Sequence, residues 1–166
     1  PNLDLGGGIG VNHINSIIDF NGFSKTIKNT FKGTDYNISI EPGRSIVATS
    51  SILLTKIIYI KKIKNKNFVI VDAAMNDFIR PTLYDAVHPI IPVKLNNNKN
   101  FICDIVGPIC ETGDYFLQNT KLQKPNNHDL LAITNTGAYG SVMSSNYNSR
   151  SPAAEVMILK GKTFLI

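Results

Sequence analysis

A series of short apolar runs, each cut off by a polar or Gly/Pro turn, fills the chain from Lys56 to its end. Nothing else in the sequence restricts the possible folds as much. Residues 57–63, 68–72, 91–95, 101–106, 130–134, 154–159 and 163–166 are rich in Ile, Val and Leu. Runs of this length and composition read as strands, and their spacing predicts a sandwich or barrel-like β domain. Residues 96–100, Asn-Asn-Asn-Lys-Asn, read as a solvated loop tolerant of change. No internal repeat emerges.

The chain before Lys56 has a different pattern. Leu3-Asp4-Leu5 is strand-like and runs at once into Gly6-Gly7-Gly8-Ile9-Gly10. From residue 14 to 32 the pattern turns helical, most clearly at Phe23, Ile27 and Phe31, with Ser24 or Asn21 as a cap and Gly33 as a stop. Tyr36, Ile38 and Ile40 alternate as a short strand ending at Glu41-Pro42-Gly43-Arg44. Residues 45–57 are then apolar enough for a buried helix, although β-branched side chains lower its propensity. Consecutive glycines after a strand let backbone N–H groups approach an anion. This run is neither a P-loop, which needs Gly-Lys-Ser/Thr, nor a dinucleotide fingerprint.

Two βα units whose strand ends carry a Gly loop and a Gly-Arg turn match the phosphate site that a TIM barrel builds after its last two strands. A whole barrel takes about 250 residues. The expected fold is therefore α/β plus all-β. Residues 1–55 would be the last two βα units of an incomplete barrel, and residues 56–166 the C-terminal β domain of a longer protein.

The formal charge of +5 does not point to nucleic acid, because the lysines are scattered (Lys61, Lys62, Lys64 and Lys66 are the densest group) without interleaved aromatics. More informative is the scarcity of arginine: three, Arg44, Arg80 and Arg150, against fourteen lysines. Each arginine lies in turn-like surroundings, where a planar fork does what an ammonium cannot. No apolar run approaches the roughly 20 residues of a membrane span. Cys103 and Cys110 make neither a disulfide framework nor a metal site, so a reducing cytoplasm is the expected compartment. His13, His88 and His128 are far apart and read as structural or exposed.

One loop stands out for chemistry. After the apolar run 101–106, Gly107-Pro108 breaks the strand, and Cys110 and Glu111 follow before a second turn at Thr112-Gly113-Asp114. A thiol can move a proton near neutral pH and a carboxylate can hold an ammonium. For this stretch alone, a hairpin with a small hydrophobe and a solvated acid is an equally good reading. Cys103, inside an apolar run, reads as core, Asp114 as a turn or interface residue, and Arg150 as a brace for a loop or a dimer interface.

Together, Leu3-Asp4-Leu5-Gly6-Gly7-Gly8, Glu41-Pro42-Gly43-Arg44-Ser45, Arg80-Pro81-Thr82-Leu83-Tyr84 and Gly107-Pro108-Ile109-Cys110-Glu111 resemble the diaminopimelate decarboxylases. These are pyridoxal-phosphate enzymes of the alanine racemase-like fold. Val71-Asp72-Ala73-Ala74-Met75-Asn76-Asp77, Thr136-Gly137-Ala138-Tyr139-Gly140 and Met143-Ser144-Ser145-Asn146-Tyr147-Asn148 add to the resemblance, which covers nearly the whole chain.

The resemblance implies roles. Gly7, Gly8 and the Gly43-Arg44 turn would cradle the cofactor phosphate through backbone N–H groups and a helix N-terminus, and Glu41 would face the pyridine nitrogen. Arg44, Arg80 and Tyr84 would hold substrate carboxylates, and Glu111 the distal amino group. Tyr139 would complete the site near phosphate or substrate. Cys110 would protonate the carbon that lost CO2, reaching across from the other subunit of a homodimer. The implied reaction turns meso-diaminopimelate into L-lysine, the last step of lysine biosynthesis, without a metal. The Tyr-Ala-x-Lys context of the cofactor-bearing lysine is absent here, so this chain alone is expected to be inactive. Two alternatives remain. One is a relative acting on ornithine or arginine, though those have Cys-Asp where this chain has Cys110-Glu111 and lack the Arg-Pro-x-x-Tyr signature. The other is a non-catalytic fragment or regulatory subunit.

Overall fold

The structure, a computed structural model, describes residues 1–11 and 18–166. The start of the expected first helix and His13 lie outside the described residues. Strand β1 (Asn2–Asp4) leads into the glycine loop, and helix α1 (Phe20–Thr30) precedes β2 (Asn37–Ser39). β1 and β2 pair in parallel, Leu3 opposite Ile38, so the segment is a βαβ unit. The cap of α1 is Asp19, not Ser24 or Asn21: its Oδ1 accepts the Gly22 N–H at 2.8 Å.

The short helix α2 (Arg44–Val47) and one 3-10 turn are all that form where the sequence pointed to a helix through residue 57. Strand β3 (Leu53–Ile63) begins instead, with Thr55 and Ile57 buried and Leu54, Lys56 and Ile58 exposed. That alternation belongs to a strand, and the β-branched side chains favour it. The strand therefore starts just ahead of the expected boundary at residue 55.

β3 turns back into β4 (Lys66–Val71), after which helix α3 (Arg80–Tyr84) carries the Arg-Pro-x-x-Tyr segment. Strands β5 (Ile90–Pro92), β6 (Asn100–Val106), β7 (Tyr115–Gln123) and β8 (Leu130–Ile133) complete one six-stranded sheet in the order β5-β8-β3-β4-β6-β7. All its pairings are antiparallel except β4 with β6. A single curled sheet, not two packed sheets, is thus the barrel-like alternative of the expectation. The loop after β5 reaches the far edge: Asn96 N–H donates to Gln123 Oε1 at 3.2 Å, and the Asn96 and Asn98 side-chain amides both donate to the Lys124 carbonyl. The Asn-rich stretch therefore bridges the two sheet edges rather than merely spanning them.

The concave face closes on Ile57, Val69, Val71, Phe78, Cys103, Ile105, Phe116, Leu122, Leu131 and Ile133. Each such side chain withdrawn from water contributes about 1.5–3 kcal/mol. The final hairpin, β9 (Val156–Leu159) with β10 (Lys162–Leu165), forms a separate two-stranded sheet with exposed side chains. No helix among the described residues is long and apolar enough to cross a membrane.

Candidate active site

The βαβ unit brings the glycine loop against the end of β2. Glu41 N–H donates to the Gly6 carbonyl at 2.8 Å, and a Cβ on Gly7 would lie 2.7 Å from the Glu41 carbonyl oxygen. Only glycine fits at position 7. Gly8, at φ +93°, holds a backbone conformation that side chains disfavour. The loop therefore presents bare backbone, and the Glu41 side chain is exposed beside it.

A cavity of about 730 Å3 is lined by Gly10, Arg44, Arg80, Tyr84, His88 and Ala138 among others. Pro81 at the start of α3 is compatible with a first helical turn, and within that turn residues four apart share a face. The Arg80 guanidinium accordingly sits 5.4 Å from the Tyr84 ring centroid, and 5.5 Å from that of Tyr139. Tyr139 is held at φ +59°. Arg80 is only 8% exposed, and its Nε has no hydrogen-bond partner among the described residues. Burial, and next the positive charge of Arg44, pull its pKa down. A buried cation with an unused donor beside a second cation is a site for an anion.

Sequence reasoning placed His88 as structural or exposed. It is buried, with Nδ1 3.1 Å from the Thr134 carbonyl and its ring edge-on to Phe78. It nevertheless lines the same cavity, a position that no spacing in the sequence signals.

Cys110 and Glu111 stand elsewhere, both exposed on the loop between β6 and β7 and not among the residues lining this cavity. Their loop is rigidly seated. The buried Asp114 carboxylate accepts the Ile109 N–H at 2.6 Å and the Met75 N–H at 2.7 Å. Thr82 Oγ1 of α3 donates to the Gly113 carbonyl at 2.5 Å. Burial pushes the Asp114 carboxyl up, against the pull of those two backbone N–H groups. Gly107 has no room for a side chain, since a Cβ there would lie 2.4 Å from both Asp114 carboxylate oxygens. Asp114 is thus the buried fastening of the thiol loop, a role its turn-like context concealed. Arg150 braces a loop, with Nε donating to Asn76 Oδ1 at 2.9 Å and Nη2 to the Asp72 carbonyl.

The two thiols differ sharply. Cys103 is buried in β6, and burial, with Asp104 adding to it, pushes its pKa up to about 11. Alkylation near pH 8 should therefore modify Cys110 and spare Cys103, as read by peptide mass. Equal modification would mean that β6 is not packed as described.

The family described as "Pyridoxal-dependent decarboxylase, C-terminal sheet domain" matches residues 17–137. Diaminopimelate decarboxylase of Zymomonas mobilis is 46% identical over 166 residues, covering 98% of this chain and 39% of that protein. Among solved structures, AQ1208 of Aquifex aeolicus superposes with a TM-score of 0.91 at 40% identity, over 99% of this chain and 41% of that one. Diaminopimelate decarboxylase of Helicobacter pylori, complexed with L-lysine, gives 0.88 at 45% identity, over 99% and 41%. The chain spans about two fifths of the length of the curated relatives it matches.

Proposed function

The chain belongs to the pyridoxal-dependent decarboxylases with a C-terminal sheet domain, and from that premise we propose that it is the C-terminal part of a diaminopimelate decarboxylase. The whole protein would release CO2 from meso-diaminopimelate and leave L-lysine, working in the cytoplasm. In this reading β1, α1, β2 and α2 are the last two βα units of a TIM barrel, within residues 1–52, and the β domain runs from the start of β3 at Leu53 to residue 166, a little ahead of the boundary expected after residue 55. The parallel β1–β2 pair with α1 between them supports that division.

The observation that carries the reading is Arg80, buried with an unused Nε in a cavity it shares with Arg44 and Tyr84. An isolated buried guanidinium is costly, and a carboxylate held by its fork offsets that cost. The residues also fit pyridoxal phosphate, for the tight glycine loop offers backbone N–H groups to a phosphate beside the Arg44 charge. When bound, that cofactor supplies an electron sink for the carbon losing CO2. Gly7, Gly8, Gly43 and Arg44 would hold the phosphate, and Glu41 would keep the pyridine nitrogen protonated. Arg44, Arg80 and Tyr84 would clamp substrate carboxylate, with Tyr139 ordering the Arg80 side of the site. Glu111 would accept the distal ammonium, and Cys110 Sγ would deliver a proton to the carbon that CO2 leaves. Cys110 and Glu111 are exposed and do not line the arginine cavity, which supports a homodimer in which each subunit completes the other's site.

Steady-state assays of the full-length protein test the proposal. Turnover of meso-diaminopimelate should exceed that of ornithine at least about 10²-fold in kcat/KM, because ornithine gives Arg80 no second carboxylate to hold. Preference for ornithine would replace this reading with that of a polyamine-precursor decarboxylase.

A further inference from the structure

The segment around Tyr147 matches a family motif yet takes no part in the chemistry assigned above. Its backbone is unusual: Asn148 and Ser149 are consecutive residues in the left-handed region, at φ +57° and +56°. Such a conformation persists only when its surroundings fix it. Here they do. Buried Asn76 donates its side-chain amide to the Ser145 carbonyl at 3.2 Å, and its own carbonyl accepts the Ser145 N–H at 2.9 Å. Arg150 closes the far end on Asn76 Oδ1. Between these anchors, Tyr147 is presented to the thiol loop. Its hydroxyl donates to Glu111 Oε1 in a short contact between residues 36 apart in the chain. The partner of that contact is itself fixed, since Asp114 and Thr82 fasten the loop that carries Glu111.

We propose that Tyr147 is a positioning residue for Glu111. Its hydroxyl occupies one carboxylate oxygen and holds the side chain so that the other accepts from the ammonium at the distal end of the substrate. This rests on the reading of Glu111 as the distal clamp. An unrestrained exposed glutamate must surrender its rotamer freedom on meeting substrate, and a tyrosine that has already fixed it removes that cost. The Tyr147 hydroxyl is correspondingly reluctant to ionise, held first by its hydrogen bond to Glu111 and then by the negative charge of that carboxylate. A phenylalanine keeps the ring and removes only the donor, so the contact can be tested without disturbing the loop.

The test is a double-mutant cycle in the full-length holoenzyme, with two readouts: steady-state kinetics on meso-diaminopimelate, and calorimetric binding of L-lysine, which keeps one amino and carboxylate centre intact. Tyr147→Phe should raise KM and the lysine Kd about five- to tenfold, with kcat within about twofold of wild type. In a Glu111→Ala background the same change should have no further effect. The proposal is overturned if Tyr147→Phe leaves both constants unchanged, if it lowers kcat alone, or if the two substitutions multiply. A silent Glu111→Ala would remove the distal-clamp reading as well. A strong Glu111→Ala with a silent or independent Tyr147→Phe would leave that reading standing and reject only the part given to Tyr147.

Discussion

Replacing Arg80 by Ala in the full-length protein should lower kcat/KM for meso-diaminopimelate about 10²- to 10³-fold, equivalent to about 3–4 kcal/mol. The size follows from where the guanidinium sits. Arg80 is buried, has an Nε without a partner among the described residues, and lies near a second cation, Arg44. A carboxylate arriving there meets a desolvated fork with no competing ligand of its own, and truncation leaves that carboxylate buried and unpaired. Arg80→Lys should recover only part of the loss, because an ammonium keeps the charge but cannot make the bidentate contact.

Two ligands separate this effect from general damage. L-lysine carries a carboxylate for Arg80, and cadaverine carries none. In Arg80→Ala the affinity for L-lysine should fall while that for cadaverine holds. The packing lost on Tyr84 and Tyr139 accounts for only about 1 kcal/mol of stability, so the variant should remain folded. Unchanged turnover of diaminopimelate would mean that this arginine meets no substrate carboxylate.

Much of this arrangement could be read before any coordinates. The four-residue spacing of Arg80 and Tyr84 brings both to one side of α3, and the glycine loop and Glu41 do meet at adjacent strand ends. What escaped the sequence has physical reasons. Residues 52–60 are mostly apolar, broken only by Thr55 and Lys56, so the run alone did not separate a buried helix from a strand until the pairing of β3 with β8 decided it. Strand β7 carries no long apolar run of its own, and its alternation breaks at Asn119, at φ +54°. There the chain bulges and its N–H is taken by the buried Asp104 carboxylate, which also binds Lys66. Asp114 and Tyr147 act through partners 39 and 36 residues away, Met75 and Glu111. No local pattern encodes such contacts.

The Arg80 cluster also depends on a residue with no side chain. Gly137 N–H donates to the Ala48 carbonyl at 3.0 Å, which seats the loop carrying Tyr139 directly on the end of α2, the helix that carries Arg44. A Cβ at Gly137 would lie 2.0 Å from the Val47 carbonyl oxygen and 2.7 Å from Ser50 Oγ. Both are far inside contact distance. The Ser50 hydroxyl is tied to Val47 as well, so it cannot simply swing away. Gly137 is therefore required for space and not for a left-handed backbone. Gly137→Ala in the full-length protein should cost about 1–3 kcal/mol, measured by denaturant unfolding. It should also separate Tyr139 and Arg44 from their common neighbour Arg80. Affinity for pyridoxal phosphate, titrated by absorbance, should then fall at least about tenfold, because contacts sharing one rigid seat are lost together. Gly137→Ser, bulkier and bringing another hydroxyl to the same crowded carbonyl, should do worse on both measures. If Gly137→Ala kept wild-type stability and cofactor affinity, the loop and α2 would not be locked together, and the gathering of Arg44 and Tyr139 around Arg80 would lose its structural basis.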